Sequence, residues 1–166
     1  MSEIIIREYI PEDREAVEKC SFELQQDEWI REPHYWGRPE EIVSPYIDYV
    51  LKEVSKSDGR IFVAEKDGIV VGFIVTMISQ KEDSPAISLE KFGYVMDLAV
   101  LREYQGKGFG KALMLKAEDY VREKGLEWMH LDVTKGNPAH DFYLKSGYRG
   151  KSIRLEKNLF SHSQEH

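Results

Sequence analysis

The stretch Val100-Leu-Arg-Glu-Tyr-Gln105-Gly-Lys-Gly-Phe-Gly110-Lys111 leaves an apolar run, Tyr94 to Leu101, and enters a segment of helical period through three glycines at alternate positions. Glycine has no Cβ, so the backbone N–H groups of such a loop can close on an anion. The first N–H groups of the following helix have no intrahelical acceptor, and its dipole end is positive. Strand, loop and helix together make a site for a pyrophosphate. Lys107 and Lys111 add positive charge. Spacing separates the phosphate-binding motifs that compete for this loop. A Walker A loop needs Gly-Lys followed by Ser or Thr, whereas Gly110-Lys111 is followed by Ala112. A dinucleotide fingerprint G-x-G-x-x-G places its third glycine at position 111, which is lysine, although Asp132 falls about 20 residues on. The spacing present is Q-x-x-G-x-G at Gln105, Gly108 and Gly110.

Working outward, Phe109, Leu113, Ala117, Tyr120 and Val121 share one helical face, and Lys124-Gly125 closes that helix with a cation and a C′ glycine. A strand over Glu127 to Thr134, a short helix over Pro138 to Ser146, a stop at Gly147 and a last strand within Tyr148 to Leu159 are expected, with residues 161–166 frayed. Upstream, Glu3 to Tyr9 reads as a strand. Pro11-Glu12-Asp13 then opens a helix running to about Gln26. Trp29 to Pro39 breaks the period before a second helix carrying Ile42, Tyr46, Ile47, Val50 and Leu51. Arg60 to Glu65 and Ile69 to Ile78 form a hairpin, since Asp67-Gly68 suits the positive φ angles of its turn. Gln80 to Ser88 is a polar loop. The order is β-α-α-β-β-β-α-β-α-β, an α/β (α+β) chain with a mixed sheet covered by helices, in one domain over 1–160.

Composition narrows the classes. The chain has 166 residues, 42% of them hydrophobic, enough for one ordinary core. No apolar run approaches the roughly 20 residues that span a bilayer, and the N-terminus lacks a secretory layout, so the expected location is the cytoplasm with no membrane partner. Net charge is −7, and residues 1–59 hold 15 acidic against 7 basic side chains. A field of that sign repels nucleic acid and, where it faces a site, attracts cationic small molecules or basic peptides. Cys20 is the only cysteine, on a helical stripe with Val17 and Leu24, and reads as a buried inert thiol. His34, His130, His140, His162 and His166 show no ligand spacing, and no metal is expected.

The glycine spacing, the strand Met96-Asp-Leu-Ala-Val100 before it and the later Asn137-Pro-Ala-His-Asp-Phe-Tyr143-Leu-Lys-Ser-Gly147-Tyr148 resemble the GNAT superfamily of acetyl-CoA-dependent N-acetyltransferases. The resemblance implies a mixed, mostly antiparallel central sheet flanked by helices. It implies that the backbone of Leu98, Ala99 and Val100 pairs with the pantetheine arm of acetyl-CoA, and that Gln105, Gly106, Lys107, Gly108, Phe109, Gly110 and Lys111 hold the pyrophosphate. The thioester would lie where the fourth and fifth strands splay, with Asn137 on the cofactor arm. Asn137 stands one position closer to Tyr143 than in the family pattern, so either Gly136 takes its place or the turn is shorter. Asn137 is equally suited to capping the helix that begins at Pro138. Members of this family pair through sheet edges or exposed helices, which leaves a homodimer open.

Acetyl transfer to an amine has two proton steps. An amine of pKa near roughly 10.4 must lose a proton, and a thiolate of pKa about 8.5 benefits from gaining one. Tyr143 stands where the family carries the hydroxyl that protonates the thiolate. For the amine, Asp97 and Asp132 are the candidates, each an acid within an apolar strand, where an unused ionised group is costly. Asp97 is preferred, directly or through a water, because its strand must pass the thioester. Backbone donors near Leu98 and Val100 would polarise the thioester carbonyl. With no activated nucleophile in the sequence, the amine attacks directly. Acceptors in view are small cationic amines, or a peptide or protein amine, with Trp29, Tyr35 and Trp36 in the acceptor-setting region. The rival reading is a non-catalytic acyl-CoA-binding module of the same fold.

Overall fold

The computed structural model describes residues 3–80 and 82–160. It divides into two compact units, Met1–Asp132 and Val133–His166. In the first, five strands lie in sequence order across one sheet: β1 (Ile5–Glu8), β2 (Arg60–Lys66), β3 (Ile69–Gln80), β4 (Lys91–Val100) and β5 (Met129–Leu131). Neighbours are antiparallel except β4 and β5, which are parallel. Three helices cover it: α1 (Arg14–Arg31), α2 (Pro39–Lys56) and α3 (Phe109–Glu123). This is the mixed, mostly antiparallel, helix-flanked sheet expected.

Local chemistry accounts for the frame. Asp67 (φ 50°) and Gly68 (φ 78°) both take the left-handed conformation that a two-residue hairpin between β2 and β3 needs. β3 reads Ile-Val-Val-Gly-Phe-Ile-Val because both its faces are covered. Val63, Phe73, Val75 and Ala99 meet Val17 and Cys20 of α1 and Ile47 and Val50 of α2. Phe62, on the opposite face, meets the Tyr120 ring and the Lys116 ammonium of α3. Gly93 permits the close approach of α3 to β4, since a Cβ there would stand 2.4 Å from Val121 Cγ2. Asp13 ties the N-terminal turn to the sheet: Arg7 donates to both its carboxylate oxygens, at 2.8 and 2.9 Å, and to Glu65 on β2 at 2.9 Å.

One departure from regularity positions the site. Val75 pairs with Asp97, yet the next residue, Thr76, pairs with Val95, so Met96 is an extra residue and β4 is bulged there. The bulge reverses the alternation along β4. Gly93 and Val95 face α3, whereas Asp97 and Ala99 face α1 and α2.

Boundaries moved where tertiary packing outweighed local signals. α1 continues to Arg31, past the expected end at Gln26, so Trp29 is helical and the break before α2 shortens to residues 32–38. β5 spans only Met129–Leu131, because it pairs with β4 over Gly93 to Val95 and no further. The second unit holds α4 (Ala139–Lys145), closed by Gly147 with φ 93°. The last expected strand is not formed: among the described residues, 148–160 belong to no β-ladder, and Ile153, Leu155, Leu159 and Phe160 are exposed. A strand exists only against a partner edge, and alternation of apolar residues does not supply one. The expected frayed tail, 161–166, lies outside the described residues.

Candidate active site

β4 has β5 beside it only as far as Val95; beyond that, among the described residues, its outer edge carries no partner strand. Peptide groups alternate in direction along a strand. Leu101 N–H donates to Val71 on β3 at 2.9 Å, and the Ala99 carbonyl faces Gly72 of β3, so the groups of Leu98 and Val100 point to the open edge. Leu98, Ala99 and Val100 thus offer a strip of backbone where β4 and β5 part. The Val100 carbonyl is already taken by Gln105 Nε2 at 2.9 Å, which fastens the loop to the end of the strand.

That loop makes a turn at Arg102–Tyr104 and then passes through Gly106 (φ 73°) and Gly108 (φ 93°). Both angles are strained for any residue with a Cβ. Gly110 differs: it lies in the first turn of α3 in helical conformation. The first helical bond runs from Ala112 N–H to the Gly108 carbonyl at 3.0 Å, leaving the N–H groups of Phe109, Gly110 and Lys111 without intrahelical acceptors. No side chain caps this end. Lys107 and Lys111 are exposed beside it, while the Phe109 side chain is buried, packed edge-on against Tyr104. The arrangement suits a diphosphate, with Phe109 as its anchor in the core.

On the face covered by α1 and α2, Asp97 sits in a crevice of the packing, enclosed by protein yet partly accessible. Tyr46 of α2 donates to its Oδ2 at 2.7 Å. Burial pushes the Asp97 carboxyl up to about 6, against the pull of the Tyr46 hydrogen bond. Burial and the charge of Asp97 raise the Tyr46 hydroxyl far above its ordinary value, so it remains a donor. Glu28 of α1 shares the crevice, pushed up to about 7 by burial and then by Asp97. Sequence reasoning missed Glu28 and treated Tyr46 only as part of an apolar face. The available signal was the stripe Ser21, Gln25, Glu28, polar residues continuing the line of Val17 and Cys20.

Asp132, the alternative base, lies just past the end of β5, exposed, and accepts from Tyr94 at 2.7 Å. Cys20 is buried and its thiol is pushed up to about 12 by burial, which makes it inert. In the second unit, Asn137 Oδ1 accepts from Ala139 N–H at 2.9 Å and so caps α4, while Tyr143 packs edge-on against Phe142 and Tyr148. The structure therefore brings Leu98 to Lys111 and Asp97 together in the first unit, and Asn137 and Tyr143 together in the second. Among the described residues, no helix is long and apolar enough to cross a membrane.

Comparison with known proteins bears on the same segments. The chain is 31% identical to an N-alpha-acetyltransferase of Sulfurisphaera tokodaii, covering 73% of each. It is 28% identical to an aminoalkylphosphonate N-acetyltransferase of Salmonella typhimurium, over 93% of this chain and 90% of that one. In fold it matches the BH1408 protein of Bacillus halodurans with a TM-score of 0.86 at 22% identity, covering 94% of this chain and 99% of the other. The sequence profile of the acetyltransferase (GNAT) family matches residues 12–148. A five-stranded sheet that opens between β4 and β5, above a glycine loop and a bare helix start, is thus the scaffold of an acetyltransferase, and this chain belongs to the GNAT family.

Proposed function

We propose that the protein transfers the acetyl group of acetyl-CoA to a primary amine, of a small cationic metabolite or of a peptide or protein, by direct attack. The observation that carries this reading is the outer edge of β4 from Met96 to Val100, which has no partner strand among the described residues and runs into the uncapped start of α3. An extended pantetheine arm matches the strip of peptide groups at Leu98 and Val100, and a pyrophosphate matches the amides of Gly106 to Lys111. The donor's acetyl end would then reach the bulge, next to the crevice that holds Asp97.

In this reading Asp97 is the charged centre on which amine deprotonation is built, and Tyr143 is the acid that protonates the departing sulfur. The new C–N bond forms as the C–S bond breaks. Of the two protons that the ammonium loses, one ends on the sulfur of CoA and the other in solvent. An inert Cys20 supports attack without an acyl-enzyme. The negative crevice favours a cationic acceptor over an anionic one such as an aminoalkylphosphonate. A module that only bound acyl-CoA would have no use for raised carboxylates beside its thioester.

Thermal unfolding with added ligand tests the proposal. Acetyl-CoA at 100 times its dissociation constant is expected to stabilise the protein by about 2.7 kcal/mol, and NADH or ATP to leave it unchanged. Thiol release should then require both acetyl-CoA and an amine. Equal protection by NADH, or protection by acetyl-CoA with no turnover across a broad amine and peptide library, refutes it.

A further inference from the structure

Helix α1 buries one stripe, and half way along it the stripe changes chemistry. Val17 and Cys20 enter the apolar core. Ser21, Gln25 and Glu28, spaced four and three residues apart on the same face, are polar. Ser21 and Gln25 are 1% and 4% exposed, and neither Ser21 Oγ nor the Nε2 and Oε1 of Gln25 has a hydrogen-bond partner among the described residues. Buried amides are ordinarily bonded, so a core position does not account for Gln25. It lies one turn before Glu28 on the same face of α1.

Within the crevice of Glu28 and Asp97 the two carboxylates are not equivalent. Asp97 has Oδ2 engaged by Tyr46 at 2.7 Å. The Glu28 carboxylate, half-buried, takes no hydrogen bond from a described residue; only burial and neighbouring charges act on it. We infer that Glu28 is the carboxylate that binds the acceptor's ammonium and takes its proton, that Asp97 acts through it as a positioning residue, and that the site accepts primary ammonium groups without an anionic neighbour. This rests on the acetyltransferase reading above and names its acceptor class.

The chemistry fits each part. A primary ammonium in the crevice lies against two carboxylates. It gives one proton to a Glu28 oxygen, and the freed lone pair attacks the thioester carbon. A base that titrates near the working pH suits this step, and Glu28 is pushed up to about 7. The groups facing Glu28 are Asp97 on β4 and Tyr46 on α2, with Arg31 and Asp27 on its own helix. Asp97 and Asp27 raise Glu28 and Arg31 lowers it; Asp27 is itself paired with Arg102 at 3.1 Å. β3 contributes no charged side chain. A carboxylate next to the reacting amine would meet Glu28 and Asp97 as a third like charge, which excludes it.

Thiol release from acetyl-CoA, read against pH with propylamine, spermidine, glycinamide and glycine as acceptors, tests the inference in wild type, Glu28→Gln and Asp97→Asn. In wild type, kcat/KM should rise with pH through about 7 as Glu28 gives up its proton. Glu28→Gln should lower kcat/KM by at least about 100-fold and abolish that rise, with the thermal shift from acetyl-CoA unchanged. Asp97→Asn should move the rise to lower pH, which a merely structural role would not do. Glycine should be at least about tenfold poorer than glycinamide. Glu28→Gln activity within threefold of wild type with the rise intact, an unmoved rise in Asp97→Asn, or glycine equal to glycinamide overturns the inference. So does release with none of the first three acceptors. Carboxyl-carbon NMR titration of the wild type decides the matter if Glu28→Gln fails to fold, since a Glu28 midpoint near the ordinary value of about 4.3 also overturns it. Loss of the acetyl-CoA shift in wild type with a raised Glu28 midpoint instead brings down the acetyltransferase reading, and the acceptor assignment with it.

Discussion

Replacing Asp97 by asparagine should make the protein more stable at neutral pH. Burial pushes the carboxyl from 3.8 to about 6, so the folded protein holds this proton more tightly than the unfolded chain does. For an acid with a raised folded pKa, stability falls as pH rises from the unfolded value to the folded one. Between pH 4 and 6 the unfolded chain releases its proton while the folded one keeps it, and above about 6 the loss is complete. A shift of about two units corresponds to about 3 kcal/mol. Asparagine is neutral throughout and keeps an oxygen to accept from Tyr46. Its advantage should therefore grow from near zero below pH 4 to about 3 kcal/mol above pH 6, with relief of Glu28 adding to it. Urea denaturation of both proteins from pH 3.5 to 8 reads this directly, since carboxylates common to both cancel in the difference. The same substitution should lower turnover, the trade expected where a charge is kept in a core for chemistry. A variant that is less stable by an amount independent of pH refutes the reasoning, because the ionised carboxylate would then be stabilising where it sits.

Two further outcomes follow from the site. Tyr143→Phe keeps the ring that packs on Phe142 and Tyr148, so it should cut turnover by roughly 10²- to 10⁴-fold with acetyl-CoA affinity unchanged. Turnover within about threefold of wild type, with chemistry rate-limiting, removes the hydroxyl as the acid. Gly108→Val should weaken acetyl-CoA binding and cost about 1–2 kcal/mol of stability, because φ is 93° although a Cβ would meet only Ile4 at 3.8 Å. Gly110→Ala, in helical conformation, should cost no backbone strain, and calorimetric titration of both variants with acetyl-CoA compares them. Equal affinities in the two variants would mean that the left-handed turn at Gly108 does not shape the pyrophosphate site.

What the sequence determined by itself was local and periodic. Asp67-Gly68 specifies its turn because few other residues tolerate two positive φ angles in a row. The alternate glycines between an apolar strand and a helical repeat specify an anion-binding helix start, since that property belongs to backbone amides and needs no distant partner. Asp97 was legible as a carboxylate in the wrong surroundings. Tertiary structure decided what depends on partners far apart in the chain. Whether an apolar, alternating segment becomes a strand depends on pairing with an edge, which Met129–Leu131 achieves and residues 148–160 do not. The direction in which Asp97 points was set by one extra residue in β4, visible only in its pairing with β3. Tyr46 and Glu28 are 51 and 69 residues from Asp97 in sequence, and they acquire their chemistry only because α1, α2 and the bulge meet. Burial and mutual repulsion are properties of that meeting, and no single segment of the sequence contains them.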